Sequence, residues 1–428
     1  MGASTIGPET GENGEVPMNR RTFLLGPPAA LLAQLPDTQV VSGARLIDSR
    51  GGPPIEDAVV VVEGERIGAA GPRAQVRLPA NARVFDARGL TLLPGFLDAH
   101  FHLGNAKLPS LFLFHGVTSV RDPGAWNESY DAVKKSSLPI PRLFLTGPHL
   151  DMFPPAYPEN SYLVADAEDA RAVVNRFIDE GATAIKVYFR LRLATIRAVC
   201  ETAHARNIPV TAHLELVDAD QAILAGLDGI EHVTSVGSAI SEPIEAERFR
   251  QAVTANNAAR EEGRYRLWSK VRIDSPRVER MIRLMADRGT FFSPNLAVFE
   301  RRAGERGATE VHARACENMR RFVGLARKGG VRVVVGSHSG VPYAETGWAY
   351  QREMELMLES GMTPMEVIAG ATLDNARFFR VADRLGSIEA GKLADLVLVE
   401  GNPLTDFSSM RRVRRVMLNG NWIEEKKP

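Results

Sequence analysis

The chain has 428 residues, of which 44% are hydrophobic and 24% are charged, the composition of an ordinary globular protein. This length is too great for one small core and suits one large domain with a smaller satellite. Lysine plus arginine and aspartate plus glutamate both number 52, so nothing in the charge favours nucleic acid or an anionic surface as a partner. The two cysteines, Cys200 and Cys316, lie in helical patterns, and we expect buried free thiols rather than a disulfide framework.

The first 36 residues have the pattern of a processing segment. A polar, glycine-rich stretch, 1–17, precedes Met18, the pair Arg20-Arg21 follows, and a short proline-interrupted apolar run comes next. A basic pair before an apolar run indicates a secretory signal, and the paired arginines resemble a twin-arginine signal. We therefore expect export to the periplasm; the alternative is a disordered tail on a cytoplasmic protein. No later segment has the ~20 uninterrupted apolar residues that a membrane span needs.

Strand patterns occur at both ends of the chain that follows. They lie at 39–41, 58–62 and 66–69 on one side and at 395–399 and 413–418 on the other, separated by Gly and Pro clusters. Two β-rich ends around a different middle predict one composite β-sandwich, built from 37–90 and 384–428.

The middle, 91–383, alternates strand and helix patterns. Strand candidates lie near 91–100, 116–121, 142–147, 183–189, 208–213, 229–233, 290–296 and 332–337. Eight is the number of strands in a closed (β/α)8 barrel, so the α/β fold class predicted here is the TIM barrel. Helix signals support the alternation, since an acidic first turn follows Asp166 and Pro364 follows a capping Thr363.

Two segments between these elements exceed normal loop length. Residues 148–163 carry aromatic side chains among prolines, and residues 236–289 are charged with a helical pattern. Both follow strands on the side of the barrel where an active site lies, so they are expected to shape a substrate pocket or a lid. The alternative is surface decoration.

Several apolar strand patterns end in a side chain that can bind a metal ion. The candidates are His100, His102, Lys186, His213, His232 and His338. Side chains alternate along a strand with period two, so the rings of His100 and His102 should point the same way. Because the carboxyl ends of barrel strands meet on one face, imidazoles from several strands indicate a transition-metal centre.

Lys186 is the unusual member of this set. A lysine inside an apolar strand is costly to bury as an ammonium, so its pKa should fall. The neutral amine can then react with CO₂ to give a carbamate, an anion able to bridge two metal ions. The alternative is a lysine that snorkels or pairs with an acid near the strand end.

Two further residues are candidates for catalysis, whereas two neighbouring acids are not. His149 follows the third strand and can line the pocket, and Tyr188 faces the same way as Lys186, where it can polarise a substrate carbonyl. Strand alternation should turn Glu231 away from His232, and Glu215 should lie past the end of its strand, so neither is expected at the site.

Segments that carry these residues resemble the amidohydrolase superfamily of metal-dependent hydrolases. The similar segments are 94–102, 116–122, 226–232 and 386–397, within a match that runs from about 38 to about 425. The branch most similar contains imidazolonepropionase-like enzymes and Xaa-Pro dipeptidases. The resemblance implies a metal-centred barrel with a β-sandwich from both ends. It also implies His100, His102, His213 and His232 as ligands and Lys186 as the carboxylated bridge.

The eighth strand departs from the pattern of that superfamily. The resemblance implies a metal-binding Asp that takes a proton from water, but here the strand reads Gly336-Ser337-His338. His338 is therefore expected to act as a general base or as another ligand.

The predicted function is cleavage of an amide, in a peptide, an N-acyl amino acid or a cyclic amide, by a hydroxide activated at one or two divalent ions, with zinc the expected metal. The expected partner is this small-molecule substrate, and neither nucleic acid nor a membrane is expected as a partner. The sequence leaves open whether the protein forms a homo-oligomer. Two alternatives remain: an esterase or lactonase with the same centre, and a catalytically degenerate binding protein.

Overall fold

The computed structural model describes residues 38–105 and 107–424. The predicted signal segment, 1–36, lies outside these ranges. Among the described residues, no helix combines the length and apolarity needed to cross a bilayer.

Strands and helices alternate through most of the described chain. The strands are β1 (Thr38–Leu46), β2 (Ile55–Glu63), β3 (Arg66–Pro72), β4 (Arg83–Asp86), β5 (Leu90–Pro94), β6 (Phe96–Asp98), β7 (Val117–Asp122), β8 (Arg142–Leu145), β9 (His149–Asp151), β10 (Ser161–Leu163), β11 (Ile185–Val187), β12 (Val210–Ala212), β13 (Gly229–Glu231), β14 (Phe291–Ser293), β15 (Arg332–Val333), β16 (Leu396–Glu400), β17 (Val413–Leu418) and β18 (Asn421–Ile423). The α-helices are α1 (Lys107–Phe114), α2 (Asp131–Lys134), α3 (Ala167–Asp179), α4 (Leu193–Ala205), α5 (Ala219–Leu224), α6 (Gly237–Ile240), α7 (Pro243–Ala255), α8 (Ala259–Ser269), α9 (Pro276–Asp287), α10 (Leu296–Phe299), α11 (Glu310–Lys328), α12 (Ala349–Glu359), α13 (Pro364–Ala371) and α14 (Leu373–Phe378).

Both ends of the described chain meet in one mixed sheet. Its strand order is β18-β17-β16-β5-β1-β2-β3, with β4 beside β1. Leu92, Leu396 and Leu398 pack with Val60 and Val62 in a buried cluster of this sheet, so apolar side chains from both termini share one core. The two ends therefore build one β unit, as predicted; a sandwich of two separate sheets stays a prediction, as do the domain boundaries.

Eight parallel strands form a closed ring in the middle of the chain. One ladder joins β6, β7 and β8, and another joins β11 through β15 in sequence order. Two backbone hydrogen bonds bridge the gaps between them: Thr183 N donates to Leu145 O (2.8 Å), and Ala99 N donates to Val335 O (3.0 Å). Eight parallel strands closed in this way have the arrangement of the predicted (β/α)8 barrel.

The helices that cover the strands begin where the sequence signals indicated. The Asp166 carboxylate accepts hydrogen bonds from two backbone N–H groups of the first turn of α3. Thr363 and Glu366 form a reciprocal capping box at α13, with Pro364 at its first position. The buried face of α3 includes Phe177, which packs in the same core as the barrel strands.

The first predicted barrel strand, 91–100, is wrong as a single element. It divides at Gly95 into β5, which pairs with β16 in the terminal sheet, and β6, which pairs with β7 in the barrel. A Cβ at Gly95 would collide with the Thr118 side chain, so this close approach requires glycine. One apolar run thus serves two sheets, which periodicity cannot reveal.

The two long segments contain regular structure. The first holds β9 and β10, two short parallel strands that the sequence did not predict. The second holds α6, α7, α8 and α9, in agreement with its helical pattern. Cys200 and Cys316 are buried and free, as expected.

Candidate metal centre

All eight residues singled out as metal ligands or catalytic groups line one cavity of about 330 Å³. Most of these side chains come from the carboxyl ends of the barrel strands, and residues of both long segments complete the lining of the cavity. Tyr157 and Asn160 come from the first of these segments and Arg264 comes from the second. Their participation agrees with the expectation that the segments shape a pocket.

Three histidines form the tightest cluster in this cavity. His100, His232 and His338 offer ligand atoms that all lie within 4.8 Å of one another. His102 adjoins them, because its Nε2 lies 3.3 Å from His100 Nε2. His232 Nδ1 is buried and has no hydrogen-bond partner among the described residues. A buried imidazole nitrogen without a partner is costly unless something binds it, so the donor set fits a metal ion.

The backbone at two of these histidines adopts a conformation that L-residues rarely occupy. His232 has φ 67° and His338 has φ 60°. Asn295 supports both strand ends: its Oδ1 accepts from His232 N (3.2 Å), and its Nδ2 donates to Gly336 O (2.8 Å). The Asp98 carboxylate similarly accepts from His100 N (3.0 Å) and Ser337 N (2.9 Å). Strain held by surrounding hydrogen bonds is common where a site must be preorganised.

Burial keeps these imidazoles neutral. It lowers the pKa of His100 and of His213 to about 3, in each case against the opposing effect of a nearby glutamate. The pKa values of His232 and His338 also fall well below the ordinary range, through burial and then through neighbouring histidines. Neutral imidazole is the form of histidine that coordinates a metal.

Glu231 lies at the base of the cluster, so excluding it from the site was wrong. Its Oε2 lies 2.7 Å from His100 Nδ1 and also contacts Lys186 Nζ, while its Oε1 lies 3.3 Å from Arg121 Nη2. Strand alternation fails here because the positive φ at His232 brings that ring back to the side of Glu231. A carboxylate behind a metal-binding imidazole fixes the ring and raises its basicity.

Lys186 is buried at the cavity wall beside this carboxylate. Burial lowers its pKa to about 8, although Glu231 opposes the shift. In turn, the charge of Lys186 holds the pKa of Glu231 well below its usual range, although burial alone would raise it. A lysine with this pKa has an appreciable neutral fraction near neutral pH.

His213 is similarly backed by an acid, Glu215, that the sequence did not predict at the site. Its Nε2 lies 3.3 Å from Glu215 Oε1 and 3.0 Å from Arg264 Nη2, which leaves Nδ1 as its free ligand atom. Burial alone would raise the pKa of Glu215, but Arg264 and His213 hold it at about 2. The signal that could have found both acids is a glutamate within two residues of His213 and of His232.

His149 and Tyr188 form the opposite wall, with ring centres 4.3 Å apart. Ser161 Oγ donates to Tyr157 O (2.7 Å), so it accepts from His149 Nε2 (2.8 Å), and His149 Nδ1 is then an acceptor. Arg260 Nη1 donates to the Tyr188 hydroxyl oxygen at 3.1 Å, and burial raises the pKa of Tyr188. Tyr188 therefore keeps its proton and has an O–H to donate.

Comparison with known proteins adds a family assignment and several relatives. The model of a family described as the amidohydrolase family matches residues 91–423. The adenine deaminase of Rubrobacter xylanophilus is 27% identical over 117 residues, which are 27% of this chain and 19% of that protein. The chain thus spans about a fifth of that relative. The imidazolonepropionase of Pseudomonas aeruginosa is 25% identical over 386 residues, covering 80% of this chain and 87% of that protein.

A solved structure supports the fold. A Xaa-Pro dipeptidase with methionine bound in its active site has a TM-score of 0.70 and 22% sequence identity, covering 91% of this chain and 100% of that chain. At this identity the likeness concerns the fold alone.

Proposed function

The chain belongs to the amidohydrolase family, and from that premise we propose that it is a metal-dependent hydrolase that cleaves an amide of a small-molecule substrate. The observation that carries this proposal is the trio His100, His232 and His338, three neutral imidazoles whose ligand atoms lie within 4.8 Å of one another. Three histidines beside an open cavity suit a catalytic zinc ion, so zinc is the metal that we propose.

We assign a second ion to His213 and to Lys186 in its carboxylated form. The lowered pKa of Lys186 supports this assignment, because only the neutral amine reacts with CO₂. The neutral amine and CO₂ give a carbamate and a proton, so the positive charge that faces Glu231 is replaced by a negative charge, which a bound metal ion would offset. Glu231 then retains His100 and Arg121 as its partners.

The remaining residues supply binding and orientation. A bound divalent ion supplies a Lewis acid that polarises a carbonyl group and lowers the pKa of water. Tyr188 donates its O–H to the substrate carbonyl oxygen, and Arg260 fixes the direction of this donor. His149 Nδ1 accepts a hydrogen bond from the amide N–H of the substrate.

His338 acts as a ligand in this proposal. Burial and the neighbouring histidines push its pKa well below the ordinary range, which makes it a weak proton acceptor near neutral pH. A neutral, half-buried imidazole within reach of two others is better suited to coordination.

The experiment that tests this function uses zinc-reconstituted protein and a library of N-acyl amino acids, dipeptides and lactams, together with matched esters and lactones. Turnover of amides that is lost in His338→Ala and kept in His204→Ala supports the proposal, since His204 lies at the surface, paired with Asp228. Turnover of esters or lactones alone would favour an esterase. Absence of both metal and turnover would favour a binding protein with the same fold.

A further inference from the structure

We propose that Arg264 binds a carboxylate of the substrate, and that the substrate is an N-acylated amino acid rather than a free dipeptide. This specifies the substrate of the proposed amide hydrolysis and rests on that function. The inference depends on the charges that face the cavity, on the free donors of one arginine, and on a neighbouring cation that has no acid partner.

The described residues that line the cavity include cations but no acid. Arg264 and, before its carboxylation, Lys186 are the charged side chains among them, and the other polar groups are histidines, one asparagine and two tyrosines. The nearby carboxylates, Glu215 and Glu231, are fully buried behind the histidines and do not line the cavity. With Lys186 carboxylated as proposed above, its negative charge would face the metal ions, and Arg264 is the charged lining side chain that remains for a ligand.

Arg264 is held in place and still has donors to spare. Its Nε donates to Glu215 Oε1 at 2.5 Å, and its Nη2 contacts Glu215 and His213. Its Cζ lies 5.7 Å from the centre of the Phe299 ring. Nη1 makes no hydrogen bond with the described residues, so its two N–H groups remain for a ligand oxygen. A guanidinium fixed by a buried acid is preorganised for a carboxylate.

Arg260 adds a positive charge one helical turn before Arg264 on α8. It is buried beside the rings of Tyr157 and Phe189, and its Nη1 donates to the Tyr188 hydroxyl. No carboxylate pairs with Arg260 among the described residues. The charge of Glu215 acts on both arginines, which stand at i and i+4, so one negative charge faces two positive ones. An anionic ligand beside Arg264 offsets this imbalance.

The same charges disfavour a free amino group. The N-terminal ammonium of a dipeptide is a cation, and no described lining residue is an acid that could pair with it. An acyl group in its place is neutral and can lie against Tyr157, Val298 or Phe299, which line the cavity. The carboxylate then reaches Arg264 while the scissile amide lies toward His232, whose ring centre is 4.5 Å from that of His213.

The test compares substrates that differ only in these charges. Zinc-loaded protein is assayed with both enantiomers of N-acetylphenylalanine, with N-acetylphenethylamine, which lacks the carboxylate, and with alanylphenylalanine, which carries an ammonium. The variants are Arg264→Gln, Arg264→Lys and, as the matched control, Arg266→Gln, which removes an exposed arginine from the same helix. Calorimetric binding of 3-phenylpropanoate and of 3-phenylpropanamide gives a readout that needs no turnover.

We expect kcat/KM for N-acetylphenylalanine to exceed that for N-acetylphenethylamine by roughly 30-fold or more, and Arg264→Gln to abolish the difference, as for a truncated buried charge pair. Arg264→Lys should recover part of it, and Arg266→Gln should retain it. Alanylphenylalanine should be the poorer amide by a similar factor.

Equal turnover of the acid and the amine, or an Arg264→Gln variant that keeps the preference, overturns the role of Arg264 while leaving amide hydrolysis in place. A preference for the dipeptide overturns the N-acyl assignment. If no amide is cleaved, the proposed function fails, and calorimetry then decides whether Arg264 binds a carboxylate. Binding of 3-phenylpropanoate that weakens in Arg264→Gln alone supports the anion site, and unchanged or absent binding refutes it.

Discussion

Replacement of Glu231 by glutamine is the perturbation whose consequences the structure specifies most fully. This carboxylate contacts Lys186, lies 2.7 Å from His100 Nδ1 and lies 3.3 Å from Arg121 Nη2. Thr211 also donates its hydroxyl to it. The neutral amide keeps the shape of the side chain but removes the charge that compensates two buried cations.

The two cations respond differently to the loss. Lys186, whose pKa burial lowers to about 8, can give up its proton and so escape most of the cost. Arg121 cannot, because its pKa remains at about 10 even though burial lowers it. An uncompensated buried arginine sets the expected loss of unfolding free energy at about 3–5 kcal/mol. Because Glu231 also backs His100, zinc affinity should fall roughly 10- to 100-fold.

Urea unfolding of the metal-free protein measures the first quantity, and zinc competition with a chromophoric chelator measures the second. Glu247→Gln is the matched control, since Glu247 is exposed on α7 and its loss should cost no more than about 0.5 kcal/mol. A Glu231→Gln variant as stable as this control, with unchanged zinc affinity, would refute the assignment of Glu231 as the acid that holds the centre together.

Further predictions concern the second ion, the pH dependence of stability and the cavity wall. Lys186→Ala should reduce bound metal from two ions to one per chain, as measured by mass spectrometry; two retained ions with full turnover would contradict the carbamate. Burial raises the pKa of Glu353 from 4.5 to about 8, so the folded protein keeps a proton that the unfolded chain releases in this window. The stability from this group is present below pH 4.5 and is lost as pH rises through 8. In the native protein, Glu353 should make the unfolding free energy fall by at most about 1.4 kcal/mol per pH unit between pH 4.5 and about 8. This fall should be absent in Glu353→Gln, and urea unfolding that shows the same fall in the variant would contradict the prediction. Asn257 donates hydrogen bonds to Pro154 O and Pro155 O, both at 3.1 Å, and so ties α7–α8 to the segment 148–163. Asn257→Ala should therefore raise KM more than it lowers kcat and should speed proteolysis of this segment. Unchanged KM and unchanged proteolysis would show that these hydrogen bonds do not hold the segment in place.

The sequence was sufficient where a candidate side chain lies in an apolar run or directly after it. Period-two spacing predicted that His100 and His102 would lie together, and their Nε2 atoms are 3.3 Å apart although both residues follow the end of β6. The ends of the apolar runs also predicted that Lys186 and His213 would reach the cavity, because parallel strands end on one face.

The sequence was insufficient where one residue departs from the regular strand pattern, or where two residues in contact are far apart along the chain. The positive φ of His232 breaks the alternation and places its ring on the same side as Glu231. Gly95 splits one apolar run between two sheets because the Thr118 side chain occupies the space of a Cβ. Arg264 meets Glu215 across 49 residues, and the charged pattern of its helix gives no indication of that partner.

Anomalous diffraction at the zinc edge, from crystals of the zinc-reconstituted protein, tests most directly whether these histidines form a metal centre. The expected result is a strong peak about 2.0–2.1 Å from nitrogen atoms of His100, His232 and His338. Catalytically active crystals that show no anomalous peak in this cavity, or a zinc peak only at another place, would contradict the assignment of these histidines as a metal centre.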